Sequence, residues 1–309
     1  MTTIGTQQNI LKYHGSRSIS SSNPPVLKTH SAEFRRKRTQ EEQKNGEDVA
    51  FNEGNINERS TLNEEEVNKF RAMAESWWDP HGDCKPLHSL NKLRVSLIRN
   101  NLIQSGIVNP AFVNGPQPLT GLNILDVGCG GGILCEPLAR LGAQVTGVDA
   151  AQENISVAEI HAQRDHRVLK NVNYICGTIE EHSVSVGSMQ YDAVVASEVL
   201  EHVDQPEVFI DSCASLIKPG GSLFLTTINK TYTSWIGAIA IAEYALHLLP
   251  PGTHNWEKFI PRQDLLFMVE KSQCHPKSVQ GMAYNPVNNQ WCWISNISVN
   301  YAVHAIKEK

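Results

Sequence analysis

The sequence predicts an α/β protein whose core is a mostly parallel sheet covered by helices on both faces. Three observations carry this reading. The apolar run Ile124, Leu125 and Val127 leads straight into the cluster Gly128-Cys129-Gly130-Gly131-Gly132, the pattern of a buried strand that turns sharply into a helix. A second short run, with Val145 and Val148, closes on Asp149. Short strands and helical stretches then alternate as far as Thr227, as a parallel sheet requires.

The chain opens differently. Residues 1–40 hold Lys12, Arg17, Lys28, Arg35, Arg36, Lys37 and Arg38 against the single acid Glu33, with serines at Ser16, Ser18 and Ser20 to Ser22. A basic, serine-rich, acid-poor leader reads as a mitochondrial transit peptide; an ordinary tail is the alternative, because the amphipathicity around Ile10, Leu11 and Tyr13 is weak. Beyond residue 40 the chain carries 20 Lys plus Arg against 31 Asp plus Glu. That acidic balance argues against a nucleic-acid backbone as the main partner. No apolar run reaches the roughly eighteen residues of a membrane span. The seven cysteines are odd in number and lack metal-ligand spacing, so they read as free thiols in the matrix or cytosol.

Residues 41–62 are polar and charged and read as a flexible linker. An N-terminal helical cap is expected over residues 63–116. Asn63 can cap a helix with Glu66 three residues on, and Val67, Phe70, Ala74 and Trp77 fall on one face. A second helical stretch surrounds Leu93 to Ile98. The main domain, residues 117–309, then offers strand one, a helix from about Gly132 to Leu141, and strand two at Gln144 to Asp149. A helix from about Glu153, strand three at Val172 to Cys176 and strand four at Ala193 to Ser197 follow. Pro219, Gly220 and Gly221 turn into strand five, Ser222 to Thr227, and Trp291 to Ile306 suits a final antiparallel pair. Within an insertion at residues 230–260, Trp235 to Leu249 is nearly all apolar apart from Glu243 and His247, four apart on one helical face. Such a helix lies in a membrane interface, closes over an apolar substrate, or is buried in the core.

The glycine turn and Asp149 together form a candidate nucleotide-cofactor cradle, with backbone N–H groups turned toward a ligand. A dinucleotide fold wants Gly-x-Gly-x-x-Gly, and position 133 is Ile133, so that fit fails. Asp126, two residues before the first glycine, instead gives a pattern that resembles motif I of the class I S-adenosylmethionine-dependent methyltransferases. The resemblance implies a Rossmann-like, seven-stranded methyltransferase sheet, with Gly128 at the amino-acid part of the cofactor and Asp149 at its ribose.

Glu198, Glu201 and His202 follow strand four directly, where ligands of open α/β sheets sit. If the segment is helical, both carboxylates and the imidazole share a face. They could then hold a divalent cation, or His202 could act alone as a general base, or the segment is a solvated helix start with acids favoured by the dipole.

Further motifs narrow the resemblance. Trp77-Trp78-Asp79, Pro86-Leu87-His88, Asn91 to Arg94, Asp126 to Gly132, Glu198 to Val203, Lys218 to Gly221, Gly252-Thr253-His254, Lys258-Phe259-Ile260 and Tyr284-Asn285-Pro286 occur in an order similar to the ubiquinone-biosynthesis O-methyltransferases. The resemblance covers roughly Asn63 to His304. It implies that Arg94, Gly128, Asp149 and Ser197 contact S-adenosylmethionine, and that Glu198, Glu201 and His202 bind magnesium, with zinc or manganese as alternatives. It also implies methylation of a catechol hydroxyl on a polyprenylated ring, with Glu201 and His202 as the catalytic residues. The location implied is the matrix side of the mitochondrial inner membrane, as a peripheral protein among other ubiquinone-biosynthesis proteins. Two other readings remain open: a cofactor-binding scaffold of that assembly, and a methyltransferase acting on another phenol or on a protein.

Overall fold

The computed structural model describes residues 60–230 and 259–309. The leader, nearly all of the linker, and the apolar stretch Trp235 to Leu249 with His254 and Lys258 lie outside the described residues.

Helix α1 spans Glu64–Ala72; Asn63 caps it by accepting the Glu66 N–H. The Glu66 side chain does not close the capping box: it turns to Lys69 and His202. A single 3-10 turn, Ala74–Ser76, leads to Trp77. Helix α2, Lys85–Gln104, is longer than its apolar centre indicated, because Pro86 sits favourably in its first turn and Leu90, Leu97, Ile98 and Leu102 bury one face. Then follow β1 (Asn123–Val127), α3 (Cys135–Arg140), β2 (Gln144–Asp149), α4 (Gln152–Ala162), α5 (His166–Leu169), β3 (Val172–Cys176), α6 (Ile179–Val186), β4 (Tyr191–Ser197), α7 (Pro206–Ser215), β5 (Ile217–Ile228), α8 (Arg262–Lys271), β6 (Cys274–Asn285), β7 (Gln290–Ile294) and β8 (Asn300–Lys307).

The sheet order is β3-β2-β1-β4-β5-β8-β6-β7. Strands β1 to β5 are parallel, and β8 inserts antiparallel between β5 and β6. The sheet has one strand more than the seven expected: β7, antiparallel to β6 at the edge. The expected pairing of the last two strands is corrected here, since β7 pairs with β6 while β8 pairs with β5 and β6.

The period of two along each strand sorts side chains to the two faces. Ile124, Ala193 and Val195 join Leu90, Leu97 and Leu138 on one side, and Leu125, Val127, Val194 and Ala196 join Phe209, Ile210 and Leu265 on the other. Two covered faces leave the carboxyl ends of the parallel strands as the open edge. The C-terminal end of β6 and the N-terminal ends of β7 and β8 reach that same edge.

Candidate active site

A cavity of about 570 Å³ lies along this edge, within the size range of small-molecule sites. Arg94, Gly128, Asp149, Ser197, Glu198, Glu201 and His202 all line it.

At one end the glycine turn and Asp149 hold each other. Gly128 (φ 68°) and Gly130 (φ 52°) are left-handed, and a Cβ at Gly128 would sit 2.5 Å from Val199 Cγ2, so both conformation and space require glycine there. The N–H of Gly128 donates to the Val148 carbonyl (2.8 Å). Gly130 N–H donates to Asp149 Oδ2 (2.9 Å), while Ala151 N–H (2.9 Å) and Asn154 Nδ2 (3.0 Å) donate to Oδ1. Burial raises the Asp149 pKa against the opposing effect of these three donors. Beneath the turn, Asp126 accepts from Cys135 Sγ (3.0 Å); burial pushes its carboxyl up to about 6, with Cys135 and Arg94 acting the other way.

Arg94 reaches this space from α2 and is 5% exposed. Its guanidinium donates to Asn91 Oδ1, Ser197 Oγ and the Leu87 carbonyl. Burial lowers its pKa, opposed by Asp126 and Glu198. Ser197 is tied to Thr226 Oγ1 at 2.7 Å, so in this structure its hydroxyl anchors the arginine.

The acid and histidine cluster differs from the expectation. Glu198 is left-handed (φ 60°), and the following turn is a 3-10 turn, Leu200–His202, so no α-helix places the three side chains on one face. Each turns elsewhere: Glu198 Oε1 accepts from Thr226 (2.7 Å), Glu201 Oε2 from Thr227 (2.7 Å), and His202 Nδ1 meets Glu66 Oε2 at 2.8 Å. Among the described residues, no three His, Cys, Asp or Glu side chains are grouped so as to hold a metal ion. Glu198, Glu201 and His202 nonetheless line the same cavity, where two carboxylates and an imidazole would be the donors for a divalent cation. Glu201 is buried, and that burial, with Glu198 nearby and Thr227 opposing, raises its carboxyl to about 8.

His202 is fixed from two sides by α1. Glu66 takes Nδ1, and the ring of Phe70 stands edge-on with centroids 4.8 Å apart. Burial alone would raise the Glu66 carboxyl, but hydrogen bonds from His202 and Lys69 outweigh it and hold it down to about 2. Glu66, which the sequence pattern assigns only to capping, lines the same cavity. Its signal was the spacing of four to Phe70, which puts it on the helix face that packs inward.

The far end of the cavity is apolar and aromatic, with Met282, Tyr284 and Trp291. They come from β6 and β7, where Tyr284 pairs with Trp291 and their rings lie 5.1 Å apart. The Trp291 indole N–H donates to the Pro86 carbonyl (3.0 Å). Between β1 and β7 lie five strand spacings, on the order of 24 Å.

The glycine turn, the acid after β2 and the antiparallel strand between β5 and β6 define a class I S-adenosylmethionine-dependent methyltransferase. Residues 98–276 match the family profile described as "Methyltransferase domain". The crystal structure of magnesium protoporphyrin IX methyltransferase from Synechocystis, with bound S-adenosylmethionine, shares the fold: TM-score 0.52 at 18% identity, covering 79% of this chain and 97% of that one. The chain is 45% identical over 249 residues to the mitochondrial ubiquinone biosynthesis O-methyltransferase of Rattus norvegicus, spanning 81% of this chain and 71% of the relative. It is 38% identical over 248 residues to the ubiquinone biosynthesis O-methyltransferase of Pelagibacter ubique, covering 80% of this chain and 99% of the relative. The chain belongs to the ubiquinone biosynthesis O-methyltransferase family.

Proposed function

We propose that this enzyme methylates a catechol hydroxyl of a polyprenylated ring, acting on 3,4-dihydroxy-5-polyprenylbenzoate and on the later demethylubiquinol intermediate. The observation that carries the reaction chemistry is the Glu66–His202 pair on a cavity shared by the glycine turn and Asp149. The relatives' names supply the pathway.

The chain's own residues divide the work. Asp149 holds the cofactor's ribose, and the glycine turn, bare of side chains, makes room for its amino-acid part, with Arg94, anchored by Ser197, for its carboxylate. The bound cofactor supplies an electrophilic methyl group on sulfur. Phenols titrate near pH 10, so the acceptor hydroxyl must lose its proton as it attacks. Glu66 accepts the Nδ1 proton of His202, which makes Nε2 the basic nitrogen and so the atom that takes the phenol proton. No step is assigned to a metal. Met282, Tyr284 and Trp291 receive the apolar part of the acceptor, and holding phenolate and methyl group in line supplies the rest of the acceleration.

In this reading the enzyme works in mitochondria, on the matrix side of the inner membrane, beside other ubiquinone-biosynthesis proteins. The basic leader and the word "mitochondrial" in the eukaryotic relatives' names support the compartment. Among the described residues, no helix is long and apolar enough to cross a membrane. The test is an acceptor screen with labelled S-adenosylmethionine. Prenylated 3,4-dihydroxybenzoates are expected to outperform the unprenylated acid and protein acceptors, and equal or better transfer to the latter would overturn the substrate assignment.

A further inference from the structure

We propose that Trp77 and Asn154 are positioning residues for the cofactor's ribose, acting through Asp149. The inference rests on the cofactor reading above, in which Asp149 receives the ribose hydroxyls. The indole N–H of Trp77 donates to Asn154 Oδ1 (2.9 Å), and Asn154 Nδ2 donates to Asp149 Oδ1 (3.0 Å). Trp77 and Asn154 are both buried.

The order of donors gives the chain a direction. An indole N–H can only donate, so it fixes which end of the Asn154 amide faces it. The amide oxygen goes to Trp77, and the NH₂ must then point at the carboxylate. Without the indole donor the amide can flip and present its oxygen to Asp149, turning an attraction into a repulsion. Asp149 Oδ1 is held by Asn154 and Ala151, and Oδ2 accepts only the Gly130 N–H among the hydrogen bonds described for it. Oδ2 is therefore the oxygen with room for a ribose hydroxyl.

Trp77 also shapes the opposite wall. A Cβ at Gly130 would meet its Cη2 at 2.4 Å, and one at Gly131 its Cβ at 2.6 Å, so the ring lies directly on the glycine turn. The next residue repeats the device: the Trp78 indole donates to the Gly131 carbonyl (2.8 Å) and its ring stacks on His161, centroids 3.4 Å apart. The paired tryptophans thus hold both halves of the cradle, Trp77 the acid and Trp78 the turn.

The test compares binding of S-adenosylhomocysteine and its 2′-deoxyribose analogue to the full-length protein by calorimetry. The wild type is expected to prefer the ribose form by about ten- to hundredfold, the worth of a hydrogen bond to a charged group. Asn154→Ala is expected to cut that ratio about tenfold and Trp77→Phe, which keeps a ring on the glycine turn, about threefold. The KM for S-adenosylmethionine is expected to rise in both, with little change in kcat or in the acceptor KM. Loss of packing alone would weaken both ligands equally and leave the ratio untouched. If Asp149→Ala abolishes the ratio while Trp77→Phe and Asn154→Ala keep it, the relay is overturned. If Asp149→Ala itself keeps the ratio, the ribose reading falls and the relay with it.

Discussion

Glu66 and His202 are 136 residues apart in sequence and 2.8 Å apart in space, carboxylate oxygen to ring Nδ1. Helix α1 therefore supplies a hydrogen-bond partner for a residue beyond β4. Glu66→Gln is expected to lower kcat by about one to two powers of ten, part of what a positioned general base contributes, with the cofactor KM unchanged. The Glu66 carboxyl lies at about 2 against an ordinary value of 4.5. A depressed acid stabilises the fold fully above its unfolded value and loses that contribution as pH falls through the folded one. The stability gap between wild type and Glu66→Gln is thus expected to close as pH falls from about 4.5 toward 2, read as denaturant midpoints.

Gly128→Ala places a Cβ 2.5 Å from Val199 Cγ2 at a left-handed φ of 68°. Strain and overpacking together are expected to cost about 1–3 kcal/mol. Because Val199 follows Glu198, the displacement also reaches the acid and histidine cluster. Thermal unfolding should show the loss, and calorimetry a weaker cofactor complex.

Trp291 stands on the one strand added to the expected seven. Trp291→Ala removes an aromatic wall from the far end of the cavity and the hydrogen bond to Pro86. The KM for prenylated catechols is expected to rise about tenfold, matching an aromatic contact of about 1–2 kcal/mol, with the cofactor KM unchanged. Steady-state kinetics with each substrate varied in turn reads the split.

His304 stacks on Phe224 with centroids 4.6 Å apart, and its Nε2 meets Ser222 Oγ at 3.1 Å. Burial, aided by Lys277, lowers its pKa from 6.5 to about 4. Between those values the unfolded chain binds the proton and the folded chain does not, so stability falls as pH drops from 6.5 toward 4. His304→Phe keeps the stack and is expected to retain up to about 3 kcal/mol that the wild type loses over this range. Urea unfolding at several pH values measures it.

The legible parts of the fold were those where local pattern and final environment agree. Strands β2 and β3 fall where the apolar runs put them, because both are short and bounded by turn residues. Strand β6 went unread: Pro276 and Lys277 break its alternation, and the register shifts between Pro276 and Ser278. Around the site, Asp149 and the glycine turn were readable because the glycines and the acid are spaced as a ligand cradle needs. The hydrogen-bond partners of Glu198, Glu201 and His202 were not, since Glu198 takes a left-handed backbone that no pattern announces. The partners of His202 and Asp149, Glu66 and Asn154, come from elements whose meeting only the tertiary fold decides.

The most direct measurement is methyl transfer from labelled S-adenosylmethionine to 3,4-dihydroxy-5-prenylbenzoate by the full-length protein, as wild type and as His202→Ala, each with and without a chelator. The expected result is wild-type transfer that persists with the chelator and falls about 10²- to 10⁴-fold in the variant, the range a general base supplies. Transfer by His202→Ala at the wild-type rate, or wild-type transfer that stops with the chelator and returns with magnesium, would contradict the account of His202 as the base.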